Sequence, residues 1–285
     1  MSVLSPQEVA RFHQDGYLRF RRVIDADQVQ RLRDELERLR AEERSGRHTG
    51  ERPPEFAYGH DRDSEPMKRP DRAIHQFVNM WKVSPAYREV LDNPLITGAV
   101  RELMNAERVR LWHDQVISKP PGDNAKFRCH HDFYFWPLDR PRMISCWLAL
   151  DRATPDNGCM HVVPGSHRDP RYQPADCDLS AEIGLEPRPL GPGEPGSLYD
   201  EIRQIDQRDT KPVLLDAGEC MFHHCLNWHF TPANVTDRQR RALVLIFMPD
   251  GTRYKHAQSP THICTSYLNL EDGAKMQGEN FPVCG

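Results

Sequence analysis

With 285 residues the chain is long enough to bury a sizeable core. Its net charge of −4 gives no electrostatic case for nucleic acid or an anionic membrane surface. No run of about 18 apolar residues occurs, and the first residues lack a charged segment followed by an apolar one, so the expectation is a cytoplasmic protein with no membrane partner. The eight cysteines form no Cys-x-x-Cys pair and read as reduced thiols.

In chain order, Ser5-Pro6-Gln7-Glu8 is a capping box with proline at N1, and it opens a short helix that stops near Gly16. Asp25 caps a longer helix whose apolar stripe is Val29, Leu32, Leu36 and Leu39. Residues 45–72 are polar and rich in Gly and Pro, which predicts a long loop or a lid. Ser84-Pro85 and Asn93-Pro94 start two further helices. From about residue 108 the pattern changes to short apolar runs, at 109–119, 143–150, 159–163, 213–215, 219–225 and 242–248. Pro, Gly, Asn and Asp clusters separate them. Such punctuation predicts a β-sandwich or barrel, and helices followed by strands predict helices packed outside a jelly roll. The whole chain is expected to be one domain: a mainly helical part at 1–107, a jelly-roll core at 108–250 and a C-terminal extension at 251–285.

The segment Cys129-His130-His131-Asp132-Phe133-Tyr134-Phe135-Trp136 carries the chemistry. In an extended strand, residues i and i+2 share a face, so His130 and Asp132 reach one metal ion while His131 points away. They are two corners of a 2-His-1-carboxylate triad, the arrangement diagnostic of non-haem Fe(II) oxygenases. The third ligand comes from His223, His224 or His229. Arg240 lies eleven residues after His229. A strand, a turn at 232–237 and a returning strand would bring it beside that histidine. A guanidinium inside a barrel needs an anion, and the distal carboxylate of 2-oxoglutarate would serve.

Several ordered motifs together resemble the phytanoyl-CoA dioxygenase family of Fe(II)/2-oxoglutarate oxygenases. They are the Leu4–Tyr17 opening, the Trp112–Gly122 run, the His130-x-Asp132 pair, Asp156-Asn-Gly-Cys-Met-His-Val-Val-Pro-Gly-Ser-His167, and the 218–241 segment. The resemblance implies a double-stranded β-helix, or cupin-like, barrel. It implies iron ligation by His130, Asp132 and His229, and binding of 2-oxoglutarate by Arg240 with the Thr231 hydroxyl, Trp147 and Gln115; Asn157 is a further carry-over. Fe(II), 2-oxoglutarate and O2 are the implied cofactor and co-substrates, with ascorbate supportive in vitro. The retained Asp132 disfavours halogenation and favours hydroxylation, or a desaturation, epoxidation or ring closure from the same radical; the partners expected are a small-molecule substrate and, at most, a second copy, in a monomer or homodimer. By alternation Tyr134 and Trp136 face the metal with His130 and Asp132, which places them among the substrate contacts. His224 and Gln76 join that set, and Gln76, Asn79 and Trp81 are also lid candidates. His131 and His223 read as packing residues or as groups behind the ligands, and the Lys119-Pro-Pro turn reads as structural. Two alternatives stay open: a metal enzyme on the same barrel that does not use 2-oxoglutarate, and a catalytically silent binding protein.

Overall fold

The computed structural model describes residues 2–53, 56–60, 74–122, 125–168 and 210–285. The N-terminal helices start where their caps predict. Helix α1 (Pro6–Asp15) has the reciprocal Ser5–Glu8 box, and Gly16 ends it at φ 76°. A side chain at Gly16 would also collide with His167 and Asn227, so glycine is required there twice over. Helix α2 (Ala26–Ser45) is capped by Asp25 and buries the predicted Val29, Leu32, Leu36 and Leu39. Helices α3 (Met80–Val83), α4 (Pro85–Leu91) and α5 (Pro94–Met104) follow, the last two with proline in their first turn.

The strands are β1 (Tyr17–Arg22), β2 (Ala57–His60), β3 (Ile74–Val78), β4 (Val109–Lys119), β5 (Phe127–His130), β6 (Ile144–Ala149), β7 (His161–Val162), β8 (Lys211–Pro212), β9 (Glu219–His224), β10 (His229–Thr231), β11 (Arg240–Pro249) and β12 (Val283–Cys284). The large sheet runs β1-β9-β6-β11-β4-β3-β2, with β12 also on β4, and the small sheet runs β5-β10-β7-β8. Every strand pairing among the described residues is antiparallel. Alternation along the central strands sorts the two cores. Leu243, Leu245, Phe247, Cys146 and Leu148 face the helices, whereas Ala242, Val244, Ile246 and Trp147 face the small sheet. This is the expected jelly roll with helices outside.

The predicted β4 matches its apolar run end to end. Five of the described strands, β1, β2, β3, β8 and β12, were not predicted. β1 carries Arg19, Arg21 and Arg22, and only Leu18 and Phe20 are deeply buried, so charge masks its period. β2 lies inside the expected 45–72 loop, where it pairs with β3, so that stretch is not loop throughout. Residues 61–72 of the proposed lid lie outside the described residues. The predicted strand at 213–215 shrinks to a single bridge, Leu215 to Ala153, beside β8.

Candidate metal centre

Each sheet contributes one directly opposed pair to the site. On the small sheet His130 of β5 faces His229 of β10, and on the large sheet Ser145 of β6 faces His223 of β9. Asp132 hangs between the two pairs. It does not continue β5 as the alternation argument requires. The strand stops at His130, and Asp132–Phe135 form one turn of 3-10 helix capped by the His131 ring, whose Nδ1 accepts the Tyr134 N–H at 3.3 Å. The pair still converges. Asp132 Oδ1 lies 3.6 Å from His130 Nε2 and 3.4 Å from His229 Nε2. Its other oxygen, Oδ2, accepts hydrogen bonds at 3.0 Å from His223 Nε2 and from the Ser145 hydroxyl. His229 Nδ1 donates to the Asn227 carbonyl at 2.8 Å, which fixes the tautomer that leaves Nε2 free to ligate.

These spacings fit one metal ion. Ligands about 2.1 Å from a metal on adjacent octahedral corners stand about 3 Å apart, and the ligand atoms of His130, Asp132 and His229 all fall within 4.8 Å of one another. Burial alone would raise the Asp132 carboxyl, but His229, His130 and His223 together hold it well below the usual carboxylate range. It is therefore an anion ready to ligate. Among the described residues a second set, His113, His262 and Cys264, also meets within 4.8 Å. That set contains no carboxylate, and His262 Nδ1 already accepts the Cys264 N–H at 3.2 Å.

Arg240 is fully buried at the start of β11, and none of its three guanidinium nitrogens has a hydrogen-bond partner among the described residues. Its charge lies 5.4 Å from the centre of the Trp147 ring. Burial lowers its pKa to about 10, which still leaves it cationic at neutral pH. The Thr231 hydroxyl is likewise buried without a partner among the described residues. The strand carrying Arg240 does not pair with β10; it crosses to the large sheet and pairs with β4 and β6. The connection is tied by Asn234, whose amide donates to the carbonyls of Lys119, Pro120 and Arg238. Arg241 points the other way, onto Asp151 at 2.8 and 3.0 Å.

Lys119, read from sequence as part of a structural turn, is fully buried opposite Arg240 in the β4–β11 register. Its ammonium donates to the carbonyls of Thr231 (3.1 Å), Pro232 and Ala125 (3.3 Å). Gly158 of the Asp-Asn-Gly motif makes room for it: a Cβ there would lie 2.7 Å from the Pro232 carbonyl and 3.0 Å from the lysine stem. Asn157 caps its own turn.

The expected substrate contacts fare differently. Tyr134, turned by the 3-10 helix, is 48% exposed, whereas Trp136 is buried and meets the His113 ring edge-on at 6.5 Å. The 3-10 turn breaks the alternation that placed both beside the ligands. His224 lies on the opposite face of β9 from His223; it packs against His167, and its Nδ1 accepts the Leu226 N–H. The inward residue is thus His223, which the sequence reading set behind the ligands. Gln76 and Gln115 meet each other, side-chain amide to side-chain carbonyl, from β3 and β4. Asn79 and Trp81 pair through the indole N–H at the start of α3.

Comparison with known proteins agrees with the motifs. The family model described as phytanoyl-CoA dioxygenase (PhyH) matches residues 12–242. The mouse peroxisomal phytanoyl-CoA dioxygenase is 24% identical over 252 residues, 85% of this chain and 68% of that one. The ectoine dioxygenase of Stutzerimonas stutzeri is 26% identical over 251 residues, covering 86% and 76%. Among solved structures, the alpha-ketoglutarate-dependent carbocyclase SnoK from nogalamycin biosynthesis superimposes with a TM-score of 0.72 at 22% identity, over 100% of this chain and 99% of its own. The epimerase SnoN, solved with Fe3+, alpha-ketoglutarate and nogalamycin RO, gives 0.72 at 23% identity over 97% of both chains. No described helix is long and apolar enough to cross a membrane. The family match over most of the chain, on a jelly roll that gathers His130, Asp132 and His229, makes this protein a member of the phytanoyl-CoA dioxygenase family of Fe(II)/2-oxoglutarate-dependent oxygenases.

Proposed function

We propose that the chain hydroxylates an unactivated C–H bond of a small metabolite or natural-product intermediate, consuming 2-oxoglutarate and O2 and releasing succinate and CO2. The observation that carries this reading is the presence of two features inside one jelly roll, one from each sheet. A His-Asp-His set is poised for one metal, and a buried guanidinium with no hydrogen-bond partner among the described residues lies against Trp147. Iron bound with 2-oxoglutarate and O2 supplies the oxidising power that removes a hydrogen atom from the substrate. His130, Asp132 and His229 hold the ion from one side and leave the other side open. Arg240 and Thr231 receive the distal carboxylate of 2-oxoglutarate, and Trp147 walls it from water. Asp132 fills the corner that a halide would need.

A small substrate is favoured over an acyl-CoA because the sequence carries no basic stripe suited to CoA phosphates. A cytoplasmic location and a monomer or homodimer complete the proposal. The test is succinate release from 2-oxoglutarate with Fe(II) and ascorbate, screened across candidate metabolites, with mass analysis of the product. A gain of one oxygen atom supports hydroxylation. Substrate-dependent succinate release with no oxygen gained would indicate ring closure, desaturation or epimerisation. Metal binding without any succinate release would favour an enzyme independent of 2-oxoglutarate, or a silent barrel.

A further inference from the structure

We infer that Ser145 and His223 act together as positioning residues that clamp the non-ligating oxygen of Asp132, so that the carboxylate offers the metal one oxygen and not two. The inference rests on the metal-centre reading proposed above. The two oxygens of Asp132 face different sheets. Oδ1 points to the His130–His229 pair at 3.6 and 3.4 Å. Oδ2 receives His223 Nε2 and the Ser145 hydroxyl, each at 3.0 Å. Both clamp residues are buried, and they are direct cross-strand partners in β6 and β9, so the ladder fixes the spacing between them.

The carboxylate only accepts hydrogen bonds, so His223 Nε2 must be the N–H donor. A carboxylate on a one-turn 3-10 helix has no strand neighbours to set its rotation. Left alone, it could swing both oxygens onto a divalent ion and fill a fourth coordination position. Two donors on Oδ2 oppose that swing and keep three positions open for co-substrates. The donors are needed on this chain because a turn, and not a strand, carries the aspartate.

The experiment uses the purified full-length protein, first with Fe(II) alone under anaerobic conditions, then with nitric oxide and 2-oxoglutarate added as an EPR probe. Ser145→Ala and His223→Leu should each weaken Fe(II) binding by roughly tenfold, the lower end for partners behind a metal ligand. Each should also change the shape of the nitrosyl EPR signal. His223→Gln places an amide N–H near the position of Nε2 and should restore affinity to within about threefold of wild type. Wild-type affinity and an unchanged signal in both Ser145→Ala and His223→Leu would overturn the clamp. If His223→Leu does not fold, Ser145→Ala alone decides on the same two readouts. A wild-type protein that binds no Fe(II) would overturn the metal centre and the clamp together, whereas wild-type binding lost in Asp132→Ala but kept in the clamp variants would overturn the clamp alone.

Discussion

Two buried charges in this barrel are treated in opposite ways. Around Asp132 the chain supplies every counter-group itself, three imidazoles and a hydroxyl on one carboxylate. Around Arg240, more deeply buried, it supplies an aromatic face and leaves three guanidinium nitrogens without hydrogen-bond partners among the described residues. Among the described residues the first cluster is complete as folded, whereas the second lacks a hydrogen-bonded anion. A folded chain that tolerates an unpaired buried cation gives up stability for a binding site.

The sharpest break of that comparison is at the carboxylate. Asp132→Ala removes a proposed ligand and the carboxylate that three imidazoles share, and succinate formation should fall to background with little Fe(II) retained. Near wild-type iron content and turnover would refute the assignment. At the other charge, Arg240→Ala should raise the apparent constant for 2-oxoglutarate by roughly tenfold or more while iron still binds, since truncating a buried charge-assisted contact typically costs about 2–5 kcal/mol. The asymmetry predicts a further, opposite effect. Arg240→Met should melt higher than wild type in the absence of 2-oxoglutarate, by roughly 2–8 °C, because an unpaired buried charge is removed. Added 2-oxoglutarate should then stabilise wild type and not the variant. A destabilised apo Arg240→Met would mean that the guanidinium has an internal partner after all.

A second buried acid sharpens the contrast within one residue type. Asp114 on β4 is fully buried; burial lifts its pKa to about 8, outweighing the Trp81 N–H it accepts at 3.2 Å and the charge of Lys82, which favour the carboxylate. Its folded pKa is raised, so its contribution to stability is fully present below about pH 4 and is lost as pH rises towards about 8. Asp114→Asn should therefore gain thermal stability relative to wild type steadily from pH 5 to pH 8 in a melting series. A difference independent of pH would place the ionised form in the fold. The smallest expected effect is at Thr231→Val. Loss of one hydroxyl from the anion site should raise the 2-oxoglutarate constant a few-fold, the scale of about 1 kcal/mol for a hydrogen bond.

What was legible in the sequence follows from which signals are local. The caps of α1, α2 and α5, the apolar runs of β4, β6 and β11, and the His130, Asp132, His229 and Arg240 spacing are each written within a few residues. The clamp was not legible, because Ser145 sits inside an apolar run and meets Asp132 only through sheet topology. One signal did exist: two adjacent histidines in a strand must face opposite sides, so one of His223 and His224 had to enter the barrel. The Lys119-Pro-Pro turn reads as structural, but the burial of its lysine was not legible for a related reason, since the space for its stem is opened by Gly158, far along the chain. Alternation failed at Tyr134 and Trp136 because a period of two holds only while the strand continues.

The one-turn helix bearing Asp132 also sets the order in which the ligands would let go. His130 and His229 are locked in register across a ladder, so neither moves without disturbing the other. Asp132 is held by a single turn, a ring cap from His131 and two hydrogen bonds on its far oxygen. Were an ion held there, the carboxylate would be the ligand with the most freedom to swing, while the two histidines keep their ladder register. Residues that would never touch the ion, Ser145, His223 and His131, would then influence how readily it leaves.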